Sequence, residues 1–134
     1  MPIVKSESHP LKTEQDVVTV RRLVRDHALR MKFSLVDQTK IVTAASELAR
    51  NTIIHGSGGT MLMEEIIEGL RAGLRLTFED KGKGIADLEL AMRDGYSTGS
   101  GMGLGLSGSK RLMNEFQIDS KVNEGTRVSV TKWK

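Results

Sequence analysis

Five of the chain's 14 glycines fall at 99, 101, 103, 105 and 108, and the segment that holds them cannot be a regular helix or strand. Each glycine inside such an element costs roughly 0.5–1 kcal/mol relative to alanine, so a run of them leaves a loop. Met102, Leu104 and Leu106 alternate with the glycines. Apolar side chains can therefore anchor the segment while its backbone N–H groups stay open, a combination that suits a loop closing over a ligand. A slack surface loop is the other reading, and the cluster alone does not separate the two. With only two prolines in 134 residues, the feature is local and not a low-complexity bias. The length predicts one domain spanning 1–134.

Composition removes several classes of function. The absence of cysteine excludes a disulfide scaffold, a thiolate zinc site and a cysteine nucleophile. His9, His27 and His55 show no metal-ligand spacing. No apolar run reaches the roughly 20 residues that span a bilayer, and the first ten residues lack a signal-peptide core. A cytoplasmic protein without a membrane partner is expected. The net charge is +3, but aromatics are only 4% and the two signs are interspersed, so nucleic acid is not the expected partner.

The periodicities predict helices first and strands later. Residues 2–8 read as a weak first strand, interrupted by Pro10. Thr13, with Asp16 three residues on, is an N-cap for a helix through Arg30. That helix puts Val17, Val20, Val24 and Ala28 on one face and Arg21, Arg22, Arg25 and Arg30 on the other. Ser34 and Asp37 open a second helix with an apolar series from Ile41 to Ile53, stopped by Gly56. Alternation predicts strands at 60–68 and 74–80, with Gly69, Ala72 and Gly73 between them. Asp87 caps a short helix through Met92, and a further helix follows the glycine cluster as far as Phe116. A final hairpin pairs 118–122 with 126–133 through the turn Asn123-Glu124-Gly125, with Val128 and Val130 facing inward. The implied architecture is a two-layer α/β sandwich, a mixed, mostly antiparallel sheet with helices on one face.

Two familiar nucleotide loops fail on context. Gly103, Gly105 and Gly108 fit G-x-G-x-x-G, but the residues before them, from Arg93 to Thr98, form a loop and not the hydrophobic strand that a dinucleotide fold requires. The Walker pattern is missed as well, because Ser109 and Lys110 follow Gly108. A different constellation lies on the second helix. Glu47 and Asn51 are four residues apart and share a face, with His55 one turn further. A carboxamide oxygen can ligate Mg²⁺ alongside phosphates and water, and a carboxylate one turn away can orient or deprotonate a hydroxyl. The pair is equally compatible with a solvated helix face, and His55 with a favourable charge at a helix end.

Three elements then occur in order: Glu47-Leu-Ala-Arg-Asn51 on a helix, Asp80-x-Gly82-x-Gly84 after a strand, and Gly101-Met-Gly-Leu-Gly-Leu106 before a helix. Together they resemble the N box and two glycine boxes of the Bergerat (GHKL) ATP-binding fold of histidine kinases, gyrase, a heat-shock chaperone family and MutL. The resemblance runs from Ser34 to Trp133. Within that superfamily the chain looks like the stand-alone serine/threonine kinases of the anti-sigma-factor type, the stressosome switch kinases among them. The runs Glu47–Gly56, Gly99–Leu106, Lys110–Phe116 and Asn123–Arg127 carry that likeness. A histidine kinase would place its phosphoacceptor in an upstream helical domain, for which this chain shows no room.

The resemblance implies a site. Asp80 would accept the adenine amino group, supported by Thr126. Gly82 and Gly84, with Ile85, would line the base, and Asn51 would hold Mg²⁺ against the phosphates of ATP. Gly101, Met102, Gly103, Leu104, Gly105 and Leu106 would form the lid, with Lys110 in reach of phosphate. Glu47 would activate the acceptor hydroxyl. Some relatives carry an arginine just before the lid; here Thr98, Gly99 and Ser100 stand there, leaving the cation for the transferring phosphoryl unassigned. The implied partners are STAS-domain substrates of the stressosome and a PP2C-type phosphatase activated after release. The competing expectation is an anti-sigma-like binding module controlled by nucleotide. A third is an ATPase without a protein acceptor. The arginine face of the first helix either meets an acidic partner or is a solvated face with Arg22–Asp26 and Asp26–Arg30 pairs.

Overall fold

The structure, a computed structural model, describes residues 3–86, 92 and 106–134. Their elements are β1 (Ile3–Leu11), α1 (Glu14–Arg30), α2 (Leu35–Ile54), β2 (Gly59–Glu68), β3 (Arg71–Asp80), α3 (Leu106–Leu112), β4 (Glu115–Lys121) and β5 (Gly125–Trp133). The short helix expected from Asp87 and most of the glycine cluster lie outside the described residues.

Both long helices start where local chemistry dictates. Thr13 Oγ1 accepts from Asp16 N–H while Asp16 Oδ2 accepts from the Lys12 and Thr13 N–H groups at 2.8 and 3.0 Å. This capping box satisfies donors that the first helical turn leaves open. The same backbone hydrogen bonds hold the Asp16 carboxyl below its usual range. Ser34 Oγ caps α2 through Asp37 N–H. Between the helices Lys32 takes a positive φ of 66° and Phe33 turns back, its N–H bonded to the Ala28 carbonyl. The buried Phe33 side chain closes that corner.

The sheet order is β1-β2-β3-β5-β4 and all four pairings are antiparallel. No parallel pair occurs among the described residues, so the expected "mixed" sheet is purely antiparallel there. The core lies between one sheet face and the helices. Met61, Met63, Leu74, Leu76, Phe78, Val128 and Val130 meet Val17, Val20, Val24 and Ala28 of α1 and Ile41, Ala45, Leu48 and Ala49 of α2. Val128 and Val130 point inward as their alternation predicts.

Several boundaries differ from the sequence reading. β1 continues through Pro10 to Leu11, because β1 is an edge strand and proline's missing N–H is tolerated there. Ala72 and Gly73 belong to β3, and the β2–β3 turn is Gly69-Leu70, with Gly69 at φ 62°. α3 stops at Leu112, and Phe116 lies in β4. Asn114 N–H reaches the Thr131 carbonyl and Asn114 Oδ1 accepts from Trp133 N–H, so strand pairing captures the segment after α3. Lys132, buried on the inner face, donates to the Leu112 carbonyl at the end of α3 and stands 3.8 Å from Asp37.

Glu65 of β2 ties α1 down. It accepts from Arg30 at 2.8 Å and lies 2.7 Å from His27 Nδ1. Arg30 also lies 2.8 Å from the same His27 nitrogen. One nitrogen cannot both donate to Glu65 and accept from Arg30, so Glu65 is the common acceptor. Burial pushes its carboxyl up, but the His27 and Arg30 hydrogen bonds and charges outweigh this and hold it below the usual range. Arg30 is thus engaged with the sheet and forms no pair with Asp26; among the described residues Arg22 forms none either.

The core predicts a sharp contrast along α2. Leu48 is 1% exposed and Leu35 is 76% exposed. Leu48→Ala should lower unfolding free energy by about 2–5 kcal/mol in urea titration, and Leu35→Ala should change it by less than about 0.5 kcal/mol.

Candidate functional site at the Asp80 corner

β3 ends at Asp80, which sits in the sheet between Gly59 of β2 and Thr126 of β5. The same corner receives the end of α2. A Cβ placed on Gly56 would lie 2.2 Å from Asp80 Cγ, and one on Gly82 would lie 2.7 Å from the Gly56 Cα. Gly125, at φ 119°, passes so close that its Cβ would lie 2.1 Å from the Asp80 carbonyl oxygen. Only glycine permits backbone to approach so closely at all three positions, Gly56 against the Asp80 side chain, Gly82 against Gly56 and Gly125 against the Asp80 carbonyl.

The Asp80 carboxylate is half-buried, and its Oδ1 accepts from Gly82 N–H at 2.9 Å. Oδ2 takes no hydrogen bond from any described residue. Among the described residues, no donor competes for that oxygen. On the neighbouring strands Ser120 Oγ donates to the Gly125 carbonyl, accepts from Ile85 N–H at 2.8 Å, and lies 2.7 Å from Thr126 Oγ1. Ser120 has one proton and has given it to Gly125, so Thr126 is the donor of the shared bond. The Thr126 oxygen keeps lone pairs to accept a further bond, from water or a ligand. The same hydroxyl holds the backbone of Ile85 against β4. Gly84, at φ 75°, packs against the Lys121 carbonyl and lets the loop turn there.

Glu47 and Asn51 are on one face of α2, which ends at this corner. Glu47 is 40% exposed and its carboxylate lies 3.7 Å from the Arg50 guanidinium. Asn51 is half-buried, and its backbone carbonyl accepts from His55 and Gly56 N–H at 2.9 and 3.3 Å. Its carboxamide is a hard oxygen donor suited to Mg²⁺. Among the described residues no group of three or more acidic, histidine or cysteine side chains could hold a metal alone. A cation at Asn51 would need phosphate oxygens and water to complete its shell. Leu106 is buried at the start of α3, and Lys110 is exposed on that helix. Gly101, Met102, Gly103, Leu104 and Gly105 lie outside the described residues.

Gly56, Ser120 and Gly125 belong to the corner although none was singled out as a site residue from the sequence. Gly56 was legible only as a helix stop, because its contact with Asp80 is made 24 positions away. Ser120 had one signal, a hydroxyl two residues into a strand facing Thr126. His55 was read as a charge at a helix end. The structure reverses this: burial, and then the nearby Lys83, push its imidazole below the ordinary 6.5, only partly offset by Asp80. Its Nε2 is buried without a hydrogen-bond partner among the described residues. The neutral ring is the form that fits.

This carries a pH signature. A histidine with a depressed folded pKa takes up its proton more readily when unfolded, so folding stability is held above 6.5 and declines as pH falls below it. Urea midpoints should drop over that window in the wild-type chain and not in His55→Gln. The losses from Glu65 and Asp16 begin only below their ordinary 4.5 and 3.8, so the two ranges separate.

Comparison with known proteins identifies the family. Residues 36–134 match the family described as histidine kinase-, DNA gyrase B- and HSP90-like ATPase. The chain is 44% identical to the serine/threonine-protein kinase RsbT of Bacillus subtilis (strain 168) over 121 residues, covering 90% of this chain and 91% of that protein. It is 38% identical to an anti-sigma F factor of Anoxybacillus flavithermus over 106 residues, 74% of this chain and 71% of the relative. A solved structure of the RsbU and RsbW domains of Rv1364c from Mycobacterium tuberculosis shares its fold with a TM-score of 0.67 at 20% identity, over 98% of this chain and 33% of that one. The chain therefore belongs to the histidine kinase-, DNA gyrase B- and HSP90-like ATPase family, where its relatives include a serine/threonine-protein kinase and an anti-sigma F factor.

Proposed function

We propose that the chain is a partner-switching serine/threonine kinase that transfers the γ-phosphoryl group of ATP to a hydroxyl of a STAS-domain protein. The observation that carries this reading is the corner where Gly56, Gly82 and Gly125 close on Asp80, with Oδ2 left for a donor such as the adenine amino group. Thr126, Gly82, Gly84 and Ile85 would surround the base. Asn51 would hold Mg²⁺, which supplies charge neutralisation of the phosphates when bound. The glycine run 101–105 with Leu106 would cover the phosphates, and Lys110 would reach them from α3.

The chemistry asks mainly for positioning and neutralisation, because the phosphoryl transition state is loose. The acceptor oxygen forms a bond to the γ-phosphorus as the bond to the bridging oxygen breaks and ADP leaves. The hydroxyl proton passes to Glu47, held on α2 by Arg50. Release of the partner after phosphorylation would free the kinase to activate a PP2C-type phosphatase. The likeness to anti-sigma F factors supports a second reading, in which nucleotide mainly controls protein association.

Asp80→Asn replaces a charged acceptor with a carboxamide. Binding of a fluorescent ATP analogue should fall below detection in this variant; unchanged affinity would remove Asp80 from the pocket. Glu47→Gln should keep nucleotide affinity and lower transfer of labelled phosphate to a STAS-domain protein by about 10²–10⁴-fold. Partner binding that survives with no label transfer from the wild-type chain would favour the association module.

A further inference from the structure

Glu47 has a second polar neighbour on α2 besides Asn51. At about 100° per residue, Asn51 stands about 40° to one side of Glu47 around the helix and Arg50 about 60° to the other. The Arg50 guanidinium reaches back to 3.7 Å from the Glu47 carboxylate, a separation too long for a hydrogen bond. Among the described residues this is the only ion pair that Arg50 makes, and its side chain is 34% exposed. Such an exposed pair adds little to helix stability, so breaking it to meet better-placed acceptors costs little. Phosphoryl transfer brings the Glu47 carboxylate close to an anionic phosphoryl group, and like charges at that range repel. Positions 98–100, ahead of the lid, hold Thr98, Gly99 and Ser100 and no cation. Lys110 of α3 offers a single ammonium and no fork.

We propose that Arg50 is the cation that stabilises the transferring phosphoryl group, turning from Glu47 to its oxygens as the acceptor engages. This deepens the kinase reading and rests on it. In the reaction the acceptor oxygen bonds to the γ-phosphorus and the bond to the bridging oxygen breaks. ADP leaves with that electron pair, and the acceptor proton goes to Glu47. Arg50 keeps all its protons. It exchanges a loose contact with the carboxylate for charge-assisted hydrogen bonds to phosphoryl oxygens. Its planar fork spans two of these oxygens at once, as an ammonium cannot. Asn51 and Arg50 then meet the phosphates from the two sides of Glu47, and a loose transition state asks for just such positioning and neutralisation. Because the fork engages only as transfer begins, Arg50 speeds transfer without strengthening nucleotide binding.

The test uses the full chain with Mg²⁺, fluorescently labelled ADP and a STAS-domain protein. Aluminium fluoride completes a mimic of the transferring phosphoryl group, and in the wild-type chain it should tighten ADP binding by about tenfold or more. Arg50→Ala should keep its ADP affinity without fluoride, lose that tightening, and lower kcat for transfer of labelled phosphate by about 10²-fold or more. Arg50→Lys should recover only part of both effects, because it keeps the charge and lacks the fork. Methylguanidinium at a non-denaturing concentration should raise the transfer rate of Arg50→Ala saturably and leave Glu47→Gln unmoved. A merely structural role for Arg50 would give no such rescue. Undiminished tightening and kcat in Arg50→Ala overturn the proposal, and so does a fall in plain ADP affinity that matches the fall in kcat. Either result leaves the kinase reading standing, since the wild-type chain still transfers label. A wild-type chain that binds ADP, transfers nothing and shows no tightening ends the kinase reading and this proposal with it.

Discussion

The structure depends on a steric condition at one corner: three backbones must pass within methyl distance of one another and of Asp80. Gly56 closes α2 against it, Gly82 passes over Gly56, and Gly125 starts β5 against the Asp80 carbonyl. A methyl group at any of the three would overlap its neighbour at 2.7 Å or less. Meeting this condition brings the end of α2 down onto the ends of β3 and β5. The face that carries Glu47 and Asn51 is thereby delivered to the same corner as the Asp80 carboxylate.

The rest of the molecule supports that junction. The inner sheet face and α1–α2 share one apolar core, and Leu48, Ala45 and Ile41 place α2 along its length. Glu65, with His27 and Arg30, fixes α1 to β2 by charge. Lys132 ties the far end of α3 to β5. The Ser120 hydroxyl spends its single proton on Gly125 and thereby orients Thr126 and Ile85.

Helix starts and helix faces were legible in the sequence, and contacts between distant segments only in part. Thr13 with Asp16 and Ser34 with Asp37 announced both helix starts because the cap bonds span three residues. The inward set Val17, Val20, Val24 and Ala28 was readable from helical spacing alone. Pro10 misled because its tolerance depends on β1 being an edge strand, which is a property of the sheet order. Phe116 misled because the end of α3 is decided by Asn114 pairing with Thr131 and Trp133. At the site, Asp80, Gly82, Gly84 and Thr126 were named from their motif, whereas Gly56 and Gly125 owe their role to a meeting that no local pattern encodes. His55 was visible as a residue, but its neutral state depends on burial beside Lys83.

The central claim is that the Asp80 corner receives the nucleotide base. Amide chemical-shift mapping with Mg²⁺ and a non-hydrolysable ATP analogue tests it most directly. The account predicts that the largest shifts among the described residues fall on Gly56, Gly82, Ile85 and Gly125, and that the corresponding guanosine analogue leaves them nearly unmoved. Shifts confined to the open sheet face around Arg75, Ser129 and Thr131, with the Asp80 corner silent, would contradict it.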